Sequence, residues 1–322
     1  MPKQEKNSEA LVALTRRVVE GDQAAVSRAL SIVIDEKPGF EELSKYFFEF
    51  SGRAHKIGFC GPPGSGKSSL IGTLLSHFRR RDTSKGPRER LGVLAVDPTS
   101  PYTGGAFLGD RLRLQSHALD PEIFIRSLAS RGMLGGLTSN IFGAVHVLEA
   151  YGCEKIFIET VGSGQGEVEI AKVADTIVYV TAPSLGDDIQ AMKAGTMEIA
   201  DIFVVNKSDM AEKDKALADL RTALGLVESS GDWVPKIVAT SIKLQQGIEE
   251  LAKNILEHRA YLAQSSEGRR RVKGQVLEEL SLYISKRVYR HAQQKISERH
   301  VDLMLAKKTD PVTLGNKILQ AK

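Results

Sequence analysis

The stretch Gly61-Pro62-Pro63-Gly64-Ser65-Gly66-Lys67-Ser68 sets glycines, one lysine and one hydroxyl at a spacing that can surround a phosphate. It fills every position of G-x-x-x-x-G-K-[ST]. Glycines let the backbone curl until successive N–H groups converge on phosphate oxygens, and the positive end of a following helix favours the anion held there. Gly61, Pro63, Gly64, Ser65, Gly66, Lys67, Ser68 and Ser69 are the expected contacts. Lys67 is expected to reach the β- and γ-phosphates of a triphosphate, and the Ser68 hydroxyl to ligate Mg²⁺.

Farther along, Asn206-Lys207-Ser208-Asp209 has the form N-K-x-D, a base reader. Asp209 can accept from guanine N1–H and the 2-amino group, while Asn206 can bond the N7/O6 side. Adenine would leave buried polar groups unpaired there, at about 1–3 kcal/mol each. In Thr240-Ser241-Ile242-Lys243 a backbone N–H can meet guanine O6 and the Lys243 stem can cover the base. Two acids complete the set. Asp97 ends an apolar run, where ligands of open α/β sheets bind. Glu159 ends another and suits Mg²⁺ or a water of its shell, and Gly162 just beyond can offer its N–H to a γ-phosphate. Whether Gln165 orients the attacking water stays open.

These groups need elements to position them. Ile57 to Cys60 reads as a buried strand leading into the glycine turn, and Leu70, Ile71, Leu74 and Leu75 recur at helical spacing after it. Further buried strands are expected at 91–96, near Phe124, at 156–162, 176–181, 201–205 and 236–239, with a helix at 141–150. His146 in that helix reads as a core or surface histidine. The expected fold is therefore α/β: a P-loop NTPase with a mostly parallel twisted sheet flanked by helices. Residues 1–52 form an N-terminal helical extension, 53–264 the nucleotide domain, and 265–322 a C-terminal helical arm after the hinge Ser265-Ser266-Glu267-Gly268. The arm's apolar stripe, Val272, Val276, Leu280, Ile284 and Val288, needs a cover from a second subunit, another protein or its own domain. Glycine-rich 102–111 and 163–167 are expected to be mobile, the first near the metal, and 182–193 to be a loop turning into a helix.

Composition narrows the function. The 44 Lys and Arg are offset by 40 Asp and Glu, so no strong basic field points to nucleic acid. The runs Arg79-Arg80-Arg81 and Arg269-Arg270-Arg271 lack interleaved aromatics and read as solvated helix ends. No run approaches the ~18 apolar residues of a membrane span. The two cysteines, Cys60 and Cys153, read as buried thiols in a reducing compartment, and the N-terminus has no signal core, so the cytoplasm is expected.

Taken together, GPPGSGKSS, AVDPTSPYTGGAFLGDR, FIETVGSGQGE, the loop ending DDIQAMKAG, and VVNKSDM resemble the MeaB-type (ArgK) GTPases across roughly residues 5–320. Similar proteins also carry the description of arginine/ornithine transport kinases. The resemblance implies a homodimeric GTP-hydrolysing chaperone of an adenosylcobalamin-dependent acyl-CoA mutase such as methylmalonyl-CoA mutase. GTP binding and hydrolysis would gate cofactor loading, the cobalamin belonging to the mutase. By the same resemblance Lys67, Ser68, Asp97, Asp110 and Glu159 form the phosphate and Mg²⁺ site, and the arm dimerises. Gln190 and Lys193 lie on a loop that couples the mutase to hydrolysis. Glu159 stands where small GTPases carry aspartate, and Ser241-Ile242-Lys243 where they carry Ser-Ala-Lys. Two other readings compete: a small-molecule kinase, and a GTP-dependent interaction module without catalysis. Metallochaperone GTPases share the fold, but the chain lacks their Cys/His cluster.

Overall fold

Seven apolar segments pair side by side into one sheet. They are β1 (His55–Cys60), β2 (Arg90–Asp97), β3 (Ile123–Ala129), β4 (Cys153–Thr160), β5 (Thr176–Thr181), β6 (Ile202–Val205) and β7 (Lys236–Ala239). The computed structural model describes residues 2–80, 89–97, 117, 119–129, 140–160, 168–183, 194–225 and 232–320. The sheet order is β3-β2-β4-β1-β5-β6-β7, and every pairing is parallel. Central strands such as β5 and β6 are buried along their whole length, as expected of a parallel sheet covered on both faces. Parallel pairing puts all carboxyl ends on one side. β1 sits between β4 and β5, where the chain's winding reverses, the place at which such sheets leave a crevice.

The described helices are α1 (Pro2–Val19), α2 (Gln23–Ile34), α3 (Phe40–Phe48), α4 (Lys67–Arg79), α5 (Ile141–Ala150), α6 (Ala194–Ile199), α7 (Lys213–Gly225), α8 (Ile248–Gln264), α9 (Ser266–Lys295), α10 (Glu298–Leu305) and α11 (Pro311–Gln320). Leu70 and Leu74 of α4 and Leu251 and Ile255 of α8 join Ile57, Phe59, Val178 and Val204 in the main core. α1, α2 and α3 pack on one another and on α5, so the N-terminal segment extends the domain's helical layer. Asn140 Nδ2 donates to Ile34 O at 2.8 Å, and Arg126 Nη2 to Ser31 Oγ at 3.0 Å, fastening that layer.

Residues Met1–Val272 form one compact unit and Lys273–Lys322 a second. Within the first, a buried polar chain runs along the amino ends of β1, β5 and β6. His55 Nε2 meets Thr176 Oγ1 at 2.7 Å, and Thr176 Oγ1 meets His258 Nδ1 at 2.8 Å. His258 Nε2 lies 3.3 Å from Asp201, which Arg271 grips through two guanidinium nitrogens at 2.8 and 3.0 Å. The arginine runs are thus not wholly solvated, because Arg79 likewise turns inward, onto Asp120 at 2.8 Å. Both cysteines are free and buried, and burial pushes the Cys153 thiol up. The second unit holds the remainder of α9 with α10 and α11; Asp310 caps α11 by accepting from Val312 N and Thr313 N at 2.9 Å each.

Candidate functional site

The turn after β1 opens against β5 and β6. A Cβ at Gly61 would meet Val180 O at 2.1 Å, and the residue's φ of 125° is one only glycine adopts freely. Gly66, at φ 93°, would place a Cβ 2.4 Å from Asn206 Nδ2. α4 begins immediately after it with no side chain capping its first turn, which leaves that end of the helix to an anion. Lys67 is buried and donates from Nζ to Gly61 O at 2.7 Å and Pro62 O at 3.0 Å, so its ammonium already stands over the loop. Ser69, Pro63 and Gly64 are exposed beside it, while Ser65 is fully buried.

Ser68 Oγ donates to Glu159 Oε1 at 2.7 Å, and both side chains are nearly buried. A hydroxyl and a carboxylate side by side at a helix start are hard oxygen donors of the kind Mg²⁺ takes, so these residues fit that ion. The backbone of Asp97 ends β2 next to β4, Val96 pairing with Thr160. Asp110, Gly162, Gln165, Gln190 and Lys193 lie outside the described residues.

The N-K-x-D turn is bolted to the phosphate loop. Thr181, Val205 and Ala239 share one row of the sheet, so Asn206 and Thr240 stand one residue past its edge. Asn206 Nδ2 donates to Ser65 O at 2.8 Å, and its Oδ1 accepts from Thr240 Oγ1 at 3.1 Å. That leaves a single amide hydrogen for a base. Lys207, at φ 56°, reaches back to Gly64 O with Nζ at 2.7 Å, so its stem spans reader and loop. Asp209 is exposed, and Ser241 Oγ donates to its Oδ1 at 2.7 Å. The Ser241 hydroxyl, and next the backbone N–H of Asp209 itself, hold the Asp209 carboxyl below the usual carboxylate range. Ser241 Oγ also accepts from Leu244 N at 3.2 Å, ordering the turn that carries Ile242 and Lys243. Thr240 was not among the sequence candidates, since a threonine beside Ser241 carries no signal by itself. Among the described residues no group of three His, Cys, Asp or Glu could hold a metal ion, and no helix is long and apolar enough to cross a membrane.

A phosphate loop at the switch point of a parallel sheet, tied to an N-K-x-D turn, defines a nucleotide-binding protein of the P-loop class. Residues 26–297 match the family described as Methylmalonyl Co-A mutase-associated GTPase MeaB, and the chain belongs to that family. The Pyrococcus horikoshii protein PH0274 is 41% identical over 95% of this chain and 96% of its own length. GTPase ArgK of Escherichia coli is 32% identical over 80% of this chain and 79% of its own, and the mitochondrial methylmalonic aciduria type A homolog of Caenorhabditis elegans is 32% identical over 82% and 69%. A crystal structure described as LAO/AO transport system kinase shares the fold, with a TM-score of 0.70 at 23% identity, covering 97% of this chain and 96% of that one.

Proposed function

We propose that the chain binds and hydrolyses GTP with Mg²⁺ and acts as a nucleotide-gated chaperone of an adenosylcobalamin-dependent acyl-CoA mutase. The hold on Asp209 carries the guanine reading. An exposed carboxylate kept ionised by Ser241 can accept both N1–H and the 2-amino group of guanine, and adenine offers neither donor. Asn206 and Lys207 fix that acceptor relative to the phosphate loop. On the phosphate side, Lys67 and the N–H groups at the start of α4 would neutralise charge that develops on the transferring phosphoryl group. Ser68 and Glu159 would hold Mg²⁺, with Asp97 and Asp110 as the further acids of the set; when bound, the ion supplies charge neutralisation on the β- and γ-phosphates. Glu159, buried at the end of β4, keeps Ser68 oriented. Gly162 would offer its N–H to the γ-phosphate, and Gln190 and Lys193 would couple the mutase to hydrolysis.

The mutase as client follows from the family's description and from the methylmalonic aciduria type A relative. The adenosylcobalamin is the client's. We place the chain in the cytoplasm as a homodimer through α9, whose stripe of half-exposed apolar residues suits a second copy.

Calorimetry with Mg²⁺ tests the base: GTP and GDP are expected to bind about 10⁴-fold tighter than ATP, the discrimination a hydrogen-bonding pocket supplies. Asp209→Asn should move the preference toward xanthosine triphosphate, because an amide can donate to the carbonyl that xanthine carries in place of the 2-amino group. Equal affinity for ATP overturns the reading. Phosphate release measured with and without methylmalonyl-CoA mutase tests the client separately. Turnover that the mutase leaves unchanged removes the chaperone role and keeps the GTPase.

A further inference from the structure

The second compact unit carries a charge the rest of the chain lacks. Residues 273–322 hold ten Lys and Arg against five Asp and Glu, a net of +5, whereas the other 272 residues sum to −1 within the chain's +4. Three of the ten cations line one groove. α10, α11 and the turn between them enclose an open groove of about 490 Å³, lined by Arg299, His300, Lys308 and Lys317, with Leu303 and Leu314 supplying apolar surface. The acid that also lines it, Asp310, is committed to α11: Oδ1 accepts from Val312 N and Thr313 N, and Oδ2 from Thr313 Oγ1 at 2.6 Å. Among the described residues no carboxylate lies within ion-pair distance of Arg299, Lys308 or Lys317, although Arg17, Arg79, Arg90 and Arg271 of the first unit each have one.

Like charges gathered without counterions repel, and a ligand of opposite sign relieves that repulsion and is steered toward it. We propose that the α10–α11 groove is a docking site for an acidic segment of a partner protein, its carboxylates meeting Arg299, Lys308 and Lys317 and an apolar side chain covering Leu303 and Leu314. A small anion would leave that apolar surface in water. A nucleic-acid strand would gain little from a groove without Phe, Tyr or Trp on which bases could stack. The proposal rests on neither the nucleotide reading nor the client proposed above.

Fluorescence anisotropy of the full chain with a labelled peptide of alternating Glu and Leu tests this. The same peptide with Gln for Glu, and a single-stranded DNA oligonucleotide, are the comparison probes. The Glu peptide is expected to bind, the Gln peptide not to bind, and K308E/K317E to weaken the Glu peptide about 10-fold with GTP affinity unchanged. The milder R299Q/K308Q should weaken it in the same direction with the circular dichroism of the wild type, which separates lost contacts from lost fold. Equal binding of Glu and Gln peptides overturns the proposal. So does tighter binding of the oligonucleotide, unchanged binding by both variants, or a change in sedimentation caused by K308E/K317E, which would make the groove a contact between copies.

Discussion

One hydroxyl decides how well Asp209 can serve as an acceptor. Ser241 Oγ is the first cause of that carboxyl's lowered pKa, and it also fixes the turn through Leu244 N. Ser241→Ala removes one hydrogen bond of about 1 kcal/mol, so GTP affinity should fall about 5-fold while weak ATP binding stays as it was. The pH dependence has a definite sign. Asp209 must be ionised to accept from guanine, and its lowered pKa keeps it ionised into acid, so GTP binding should fail only once pH drops below the ordinary carboxylate range. In Ser241→Ala that failure should begin at higher pH, and titration calorimetry across pH reads both effects. The loop and the reader were legible in sequence because each lies in one short stretch. The brace from Thr240 to Asn206 was not, since it joins residues 34 positions apart. The same holds for Lys207, whose contact with Gly64 spans 143 positions.

Among elements, apolar runs announced all seven strands, and Ile141–Ala150 was legible to the residue. Their order was not, because strands buried on both faces look alike wherever they lie in the sheet. Nor did the sequence disclose what fastens the amino ends of β1, β5 and β6, where α8 and the first turns of α9 arrive. Arg271, read as a solvated helix end, there meets a nearly buried Asp201. Burial pushes the Asp201 carboxyl up and Arg271 opposes that push. Arg271→Met would leave the carboxylate buried without a counter-charge, and the urea midpoint should report about 3–5 kcal/mol of lost stability. Adding Asp201→Asn should restore part of it, whereas two independent losses would add. Buried histidines give the fold an acid limit. Burial holds His258 at about 3 and His146 at about 4, against 6.5 for the free side chain, and His55 is also well below it. A folded pKa below the unfolded one means that stability is intact above about 6.5 and falls as pH drops toward the folded values, by up to about 1.4 kcal/mol per pH unit for each ring. His146→Leu should lower the slope of unfolding free energy between pH 6.5 and 5 by up to one proton's worth. An unchanged slope would mean that His146 is charged in the fold.

At the scale of the whole molecule the chain divides its labour. The first unit holds nearly all of the buried apolar residues, and the second leaves most of its large apolar residues exposed. Along α9, Val276, Leu280, Ile284 and Val288 are 53%, 54%, 50% and 46% exposed, at a spacing of four residues that keeps them near one face. Apolar area gains about 25 cal/mol for each Å² withdrawn from water, so a row of this length has more to gain from a partner than from solvent. The proposed homodimer supplies that partner, and the stripe fixes where it can be broken. Leu280→Glu with Ile284→Glu sets two charges in the middle of the row, where pairing would strand them away from water. Analytical ultracentrifugation of the full chain should then record a monomer where the wild type sediments as a dimer. GTP affinity should be unchanged, because neither residue belongs to the unit that holds the phosphate loop. Wild-type protein that sediments as a monomer at all concentrations would assign the stripe to another protein.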